Sequence, residues 1–371
     1  MPEITKTDEK AAGSLPLTIW FMLAASALFM FFIGLDVAFF GPDEPRYAQV
    51  GREMFERRDW VTPTLGGFNW FEKPALLYWL EIASFSVFGV SEVAARLGPA
   101  LFGIGTVASL WFLGRSTDAE GRAGRAQFAA WLSLISGSTL GLIVFSRAAS
   151  FDIIITFPIT AALVSFFIFD RSKETRLLPL VLFYVFIGVA LLAKGLIGIV
   201  FPTATVAFFY VLSRRLPGRT FLVSLLWGTL VSLAIAAAWY VPMYLRHGYA
   251  FIDEFFLQHH FQRFTSNKYQ HTQPFYFFFC VLPLMTLPWL PFFLVGVWKS
   301  LSGAVRGLRS LPTSSPSSFS PLMVFAFSWL IVPLVFFSFS GSKLPGYILP
   351  AVPAAVVISS VYIFDLVSRS G

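Results

Sequence analysis

Apolar residues run in long blocks along this chain, and polar residues are confined to the breaks between them. The blocks fall near 15–35, 96–114, 126–146, 151–169, 177–193, 195–213, 220–244, 274–298, 319–339 and 345–367. Each approaches the ~20 residues that an α-helix needs to cross a hydrocarbon core. A further stretch, ALLYWLEIASFSVFGV (75–90), is shorter and carries Glu81. The pattern predicts an all-α polytopic membrane protein of about ten transmembrane helices. It forms one transmembrane domain over 1–371, with no internal repeat and no soluble domain.

The breaks orient the chain. The N-terminus, 114–125, 170–176, 213–219, 299–309 and the last span's end, with Asp365 and Arg369, hold 15 of the 27 Lys and Arg but 8 of the 20 Asp and Glu. The whole net charge of +7 therefore lies on one side, which the positive-inside rule makes the cytoplasm. Both termini fall on that side. Between the outward loop 36–74 and the inward loop 114–125 only one crossing fits, and 96–114 is the better span. Residues 75–90 are then expected as a helix at the outer interface, with Tyr78 and Trp79 at headgroup level. The first outward region spans 36–92 and a second long outward loop spans 245–273; SRAASFD, AKG and SGSKLPG are short.

Composition sharpens this. Hydrophobic residues make up 56% of the chain and charged residues 13%, about half the usual charge of a soluble protein. The N-terminal MPEITKTDEK is a poor signal-peptide start, so the first apolar block reads as an uncleaved anchor, with ASA at 25–27 as an imitation of a cleavage site. The single cysteine, Cys280, excludes an intramolecular disulfide and a Cys-rich metal site.

The unusual polar groups face outward. In GPDEPRYAQ (41–49), Pro45 suits a helix start with Asp43 or Glu44 at its cap. Tyr47, Val50 and Met54 would share one face of an amphipathic helix on the membrane surface. Arg46 then lies in a first turn that favours an anion; the alternative is that the acids merely cap while Arg46 touches lipid head groups. FNWFEKPALLYW places Glu72 and Lys73 before Pro74, where the lysine meets a lipid phosphate or simply snorkels. SRAASFD holds Arg147 and Asp152 in a connector too short to leave the membrane surface. FFLQHHFQRF contains His259 and His260, which point about 100° apart on a helix, so both binding one metal is awkward; one of them with Glu72 is a candidate metal pair, and a packed or interfacial histidine is the commoner alternative. FSGSKLPGYILP sets Lys343 and Tyr347 around a Pro-Gly turn.

Several classes are disfavoured. No Walker or dinucleotide glycine motif occurs, and no nucleophile elbow. No nucleic-acid partner is expected. Ionisable groups are scarce in mid-span, which is thin for an ion-coupled transporter. Carboxylates and cations on the outer face, where no nucleotide sugar is available, suit a donor delivered from the membrane as a lipid phosphate ester. The cations would hold the departing phosphate and a carboxylate would take the acceptor's proton.

These motifs together resemble one family. Asp-Glu after the first span followed by Arg-Tyr, then Phe-Glu-Lys-Pro, Ser-Phe-Asp, His before Arg-Phe, and Ser-Lys-Leu-Pro-Gly-Tyr-Ile-Leu-Pro look like the protein O-mannosyltransferase-like glycosyltransferases of the GT-C fold. The bacterial branch that transfers 4-amino-4-deoxy-L-arabinose to lipid A is the most similar. The resemblance implies Asp43 as catalytic carboxylate, with Glu44 beside it, and Asp152 as a second functional carboxylate. It implies Arg46 and Lys73 on the polyprenyl phosphate, with Arg147 and Lys343 as helpers, and Tyr47 and Tyr347 at the cavity mouth. It also implies a divalent metal such as Zn²⁺ on Glu72 with His259 or His260. The expected partners are a polyprenyl-phosphate sugar donor, membrane lipids, and an envelope lipid, glycan or protein acceptor. The place is the periplasmic face of the bacterial inner membrane. A lipid-linked sugar flippase and a non-catalytic scaffold are the alternatives. Many relatives continue past this point, whereas the chain stops at SRSG, which leaves a short family member or a fragment.

Overall fold

A computed structural model describes residues 29–117, 121–172, 176–255, 273–309 and 320–370, with Thr18, Phe21, Met22, Ala25 and Ser26 of the first apolar block. In chain order the elements are α1 (Asp43–Arg57), β1 (Thr64–Leu65), β2 (Phe68–Asn69), α2 (Leu76–Phe88), α3 (Glu92–Ser116), α4 (Gly121–Gly137), α5 (Leu140–Ser146) and α6 (Phe151–Arg171). They continue with α7 (Leu177–Lys194), α8 (Ile197–Leu212), α9 (Arg219–His247), α10 (Phe277–Met285), α11 (Leu290–Arg309), α12 (Ser320–Ser338), a 3₁₀ turn (Pro345–Ala351) and α13 (Val352–Ser370).

Six of the expected spans are helices long and apolar enough to cross a membrane: α3, α6, α7, α9, α12, and the 3₁₀ turn running into α13. The block 126–146 is a pair, α4 and α5, bent by 59°; it would make a seventh span. The other blocks differ from single long helices. Residues 197–212 form a short apolar helix, and 274–298 is divided between α10 and α11 around the cis Leu287–Pro288 bond. Nine of the 21 residues of the first block, 15–35, lie outside the described residues.

Alternation of these helices puts 36–92, the α5–α6 turn, the α7–α8 turn and the 3₁₀ turn at one end of the bundle. The interior helices are α6 and α13, buried along most of their length, while α9 lies at the rim with most of its surface outward. Such an arrangement leaves lipid to cover apolar side chains that a soluble protein would have to bury.

The outer region is held down by backbone-directed bonds. The hairpin β1–β2 turns at Gly66–Gly67, and Glu53 of α1 accepts from Thr64 Oγ1 at 2.7 Å and from the two glycine amides at 2.7 and 3.2 Å. Trp79 Nε1 donates to the Trp60 carbonyl at 2.7 Å, and Trp239 Nε1 of α9 to that of Val61 at 2.8 Å. Phe71 wedges edge-on against Phe251, with ring centroids 5.8 Å apart.

Two sequence expectations change here. The helix starts at Asp43, with Pro42 at its cap position and no side-chain cap, so the acids sit inside the first turn, where they suit the helix dipole. Its Tyr47–Val50–Met54 face exists, but it packs on protein instead of lipid: all three are buried. Tyr78 is wholly buried, because α2 is clasped between α1 and α3.

Candidate functional site

The end of the bundle that carries 36–92 gathers candidate polar groups around Phe151, the first residue of α6. Tyr47 of α1 and Tyr78 of α2 meet the Phe151 ring edge-on, with centroids 4.9 and 5.4 Å away. In the turn that leads to Tyr47, Asp43 and Arg46 form a loose pair at 3.4 Å, both partly exposed. The Arg46 guanidinium also lies over the Trp70 ring, 5.8 Å from its centroid. Trp70 of the aromatic segment 68–71 therefore approaches the start of α1.

Beside Phe151, Asp152 is held in the first turn of α6. Its Oδ1 accepts from Lys194 Nζ at 2.6 Å, at the last residue of α7. The same ammonium lies 5.0 Å from the Tyr347 ring centroid. Gly346 closes this group, since a Cβ there would overlap the Asp152 carboxylate. Gly346→Ala should therefore force the Asp152–Lys194 pair apart and cost about 1–3 kcal/mol, as overpacking does. A lowered midpoint of thermal unfolding in detergent is the expected result; an unchanged midpoint would mean that Asp152 has room to move.

Glu72 and Lys73 are both nearly buried and paired at 3.2 Å. Lys343 is buried too, and its Nζ donates to the Ser340 carbonyl at 2.7 Å, so this amine stabilises its own turn. Arg147 caps α5 and rests its guanidinium against Gly34; no hydrogen bond or ion pair of that guanidinium occurs among the described residues.

Glu44 has a different place from the one expected of a catalytic group. It points inward, 6% exposed. Its oxygens accept from Arg96 Nε and Nη2 at 3.1 and 2.8 Å, from the Ala149 amide at 2.7 Å and from the Phe40 amide at 2.6 Å. Burial by itself would raise this carboxyl, but the bonds from Arg96, Phe40 and Ala149 outweigh it and hold it below its usual value. Arg96 also donates to the carbonyls of Leu35, Val37 and Ala38. Glu44 and Arg96 thus clamp the chain before α1 to the turn that carries Asp152, and a carboxylate so fully occupied is not poised to take a proton.

Glu81 is a second buried acid on α2, 1% exposed, with neither oxygen hydrogen-bonded among the described residues. Burial pushes its carboxyl well above the usual range.

The expected metal group is only partly in view. His259 and His260 lie outside the described residues. Of the three, Glu72 is placed, and its Oε1 takes Lys73. Among the described residues no three His, Cys, Asp or Glu side chains converge.

Sequence reasoning passed over Lys194 and Arg96. A signal was there: both are cations at the outward ends of spans, against the positive-inside bias, and a cation there needs a partner.

A polytopic helical bundle with acids and cations gathered at one end is the class of protein this is, and it agrees with the GT-C fold that the resemblance implied. The chain belongs to the dolichyl-phosphate-mannose-protein mannosyltransferase family, whose model matches residues 18–251. It is 31% identical over 361 residues to an undecaprenyl phosphate-alpha-4-amino-4-deoxy-L-arabinose arabinosyl transferase of Aeromonas hydrophila, a match covering 95% of this chain and 61% of the relative. To the Serratia proteamaculans protein of the same name it is 29% identical over 333 residues, covering 88% and 56%. Among solved structures it is similar to ArnT from Cupriavidus metallidurans bound to undecaprenyl phosphate, with TM-score 0.81 and 28% identity over 94% of this chain and 60% of that one. The apo form of ArnT gives TM-score 0.79 and 29% identity, over 95% and 61%. The chain spans about 61% of the length of the first of these relatives.

Proposed function

We propose that this chain is an integral membrane glycosyltransferase that moves a sugar from a polyprenyl phosphate to an acceptor hydroxyl or phosphate on the periplasmic face of the bacterial inner membrane. One observation carries the reading: Asp43 is a partly exposed carboxylate beside Arg46, while the neighbouring acids, Glu44 and Asp152, are held by Arg96 and Lys194. A base open to the acceptor and cations open to a phosphate are the two requirements of the reaction. The names of the relatives and the undecaprenyl phosphate in the similar ArnT structure point the same way.

In the proposed step the acceptor oxygen forms a bond to the anomeric carbon while the bond from that carbon to the phosphate oxygen breaks. The electron pair stays on the leaving phosphate, which Arg46 and Lys73 stabilise. Asp43 takes the proton of a hydroxyl acceptor. Asp152, fixed by Lys194 under Tyr347, lines the donor side. The acceptor is an envelope lipid such as lipid A, another glycan or a protein.

The test uses purified protein in bilayer discs with a panel of polyprenyl-phosphate sugars, read by mass spectrometry. Acceptor-dependent release of free polyprenyl phosphate is expected. Lys73→Ala should weaken donor binding about 10- to 100-fold, the worth of one charge-assisted bond. Binding without release, for every donor tried, would favour a flippase or a scaffold. Against the flippase stands the clustering of the candidate site's carboxylates and cations at one end of the bundle, whereas a flippase needs a polar path through the bilayer.

The metal reading belongs to the same proposal: Glu72 with His259 or His260 would hold a divalent ion such as Zn²⁺ that orders the second outer loop. EDTA should lower the thermal midpoint and Zn²⁺ restore it. Indifference to both removes the metal.

A further inference from the structure

At the end of the bundle opposite the candidate site, a cavity of about 630 Å³ opens between α7, α8 and α9. Tyr184, on its α7 wall, is ten residues before Lys194, about 15 Å along the helix. The size falls in the ~300–1,000 Å³ range of small-molecule pockets, but the wall is unlike one that orients a polar ligand.

The floor is made by Phe183, Val206 and Phe221, all on the faces that the three helices turn toward one another. The lip, Val211, Leu216 and Leu222, is exposed. The polar side chains along the wall are already committed. Thr203 and Thr229 hydroxyls donate to carbonyls one turn back, each at 2.6 Å. Tyr184 OH and Ser224 Oγ bond each other at 2.8 Å, and Arg215 is tied to Asp170. One charge at the rim is uncommitted. Arg214 is exposed and makes no hydrogen bond or ion pair among the described residues.

A dry slot open to the bilayer, with one available guanidinium at its mouth, matches an amphiphile with an apolar tail and an anionic head. We propose that it binds an anionic phospholipid of the leaflet opposite the candidate site, one acyl chain lying between α7, α8 and α9 and the phosphate on Arg214. A zwitterionic lipid would bring its own cation to a rim that already carries Arg214 and Arg215. An anionic head gains from the uncommitted Arg214, as in basic pockets on the positive side of membrane bundles. A soluble ligand finds nothing in the wall to orient it.

Native mass spectrometry of the full chain, delipidated in detergent, tests this with phosphatidylglycerol and phosphatidylcholine of matched acyl chains. The wild type should retain one phosphatidylglycerol about 5-fold more readily than phosphatidylcholine, the factor one basic residue contributes near an anionic lipid. Arg214→Glu, at an exposed position that leaves the fold intact, should erase that preference. Ala207→Trp, which fills the slot, should lower retention of both lipids. A phosphatidylglycerol with a photoactivatable chain should crosslink to α7, α8 or α9. Equal retention of the two lipids, a preference that survives Arg214→Glu, or crosslinks elsewhere would overturn the proposal. So would displacement of the phospholipid by added undecaprenyl phosphate, which would make the slot part of the donor's path.

Discussion

Asp43→Asn is expected to reduce transfer to a hydroxyl acceptor by about 10²- to 10⁴-fold while donor binding is largely kept, because the change removes a proton acceptor at almost constant volume. The site favours Asp43 over its neighbours on geometry. Asp43 is partly exposed and only loosely paired, whereas Glu44 is buried under four hydrogen bonds and Asp152 holds Lys194. An acceptor phosphate is already ionised and needs no base. With such an acceptor the same variant should lose much less, so a comparison of the two acceptor classes also tells which one the site serves. Single-turnover release of polyprenyl phosphate is the measurement. Wild-type turnover by Asp43→Asn on every acceptor would remove Asp43 from the chemistry.

Arg96→Met is expected to destabilise the fold by about 3–5 kcal/mol, since removing one partner of a buried ion pair leaves the other charge stranded. Here the stranded group is Glu44, and the carbonyls of Leu35, Val37 and Ala38 lose their donor as well. The damage should spread to the turn carrying Asp152, whose Ala149 amide is bonded to the same carboxylate. Thermal unfolding followed by size-exclusion in detergent would read it. The double variant Arg96→Met/Glu44→Gln should recover part of the loss, because no charge is then left buried. A single variant that melts like the wild type would show the pair to be dispensable. The pH dependence has a definite sign. The Glu44 carboxyl is held below its usual value in the fold, so its contribution is fully present above the unfolded carboxylate pKa. It is lost as the pH falls through the depressed folded value.

Much of the site was legible because it is carried by short motifs whose order along the chain mirrors their position at one end of the bundle. Asp43, Arg46 and Tyr47 are one helical turn; Glu72 and Lys73 are adjacent; Arg147 and Asp152 share one connector. Alternating spans return each motif to the same face, so topology alone groups them. What stayed illegible is which partner each charge takes. Lys194 and Asp152 are 42 residues apart and Arg96 and Glu44 are 52 apart, and no local pattern links either pair. Glu44 and Asp43 are neighbours in sequence, but successive helical residues point about 100° apart. One therefore faces the outside and the other the α3 interior.

Hydropathy was equally one-sided. Apolar content says that a segment leaves water, and blocks of membrane length with a charge bias suffice for an oriented bundle, because the bilayer itself is the selecting solvent. Hydropathy does not say whether lipid or protein covers a face. So the face of α1 through Tyr47, Val50 and Met54, and Tyr78 on α2, looked like membrane-surface features and are buried in protein. The apolar blocks and their charge bias were enough for the class and for an expected orientation. The roles of Glu44, Arg96, Lys194 and Gly346, and the lipid-sized slot at the opposite end, depend on distances between residues far apart in the chain, which come into being only when the helices pack.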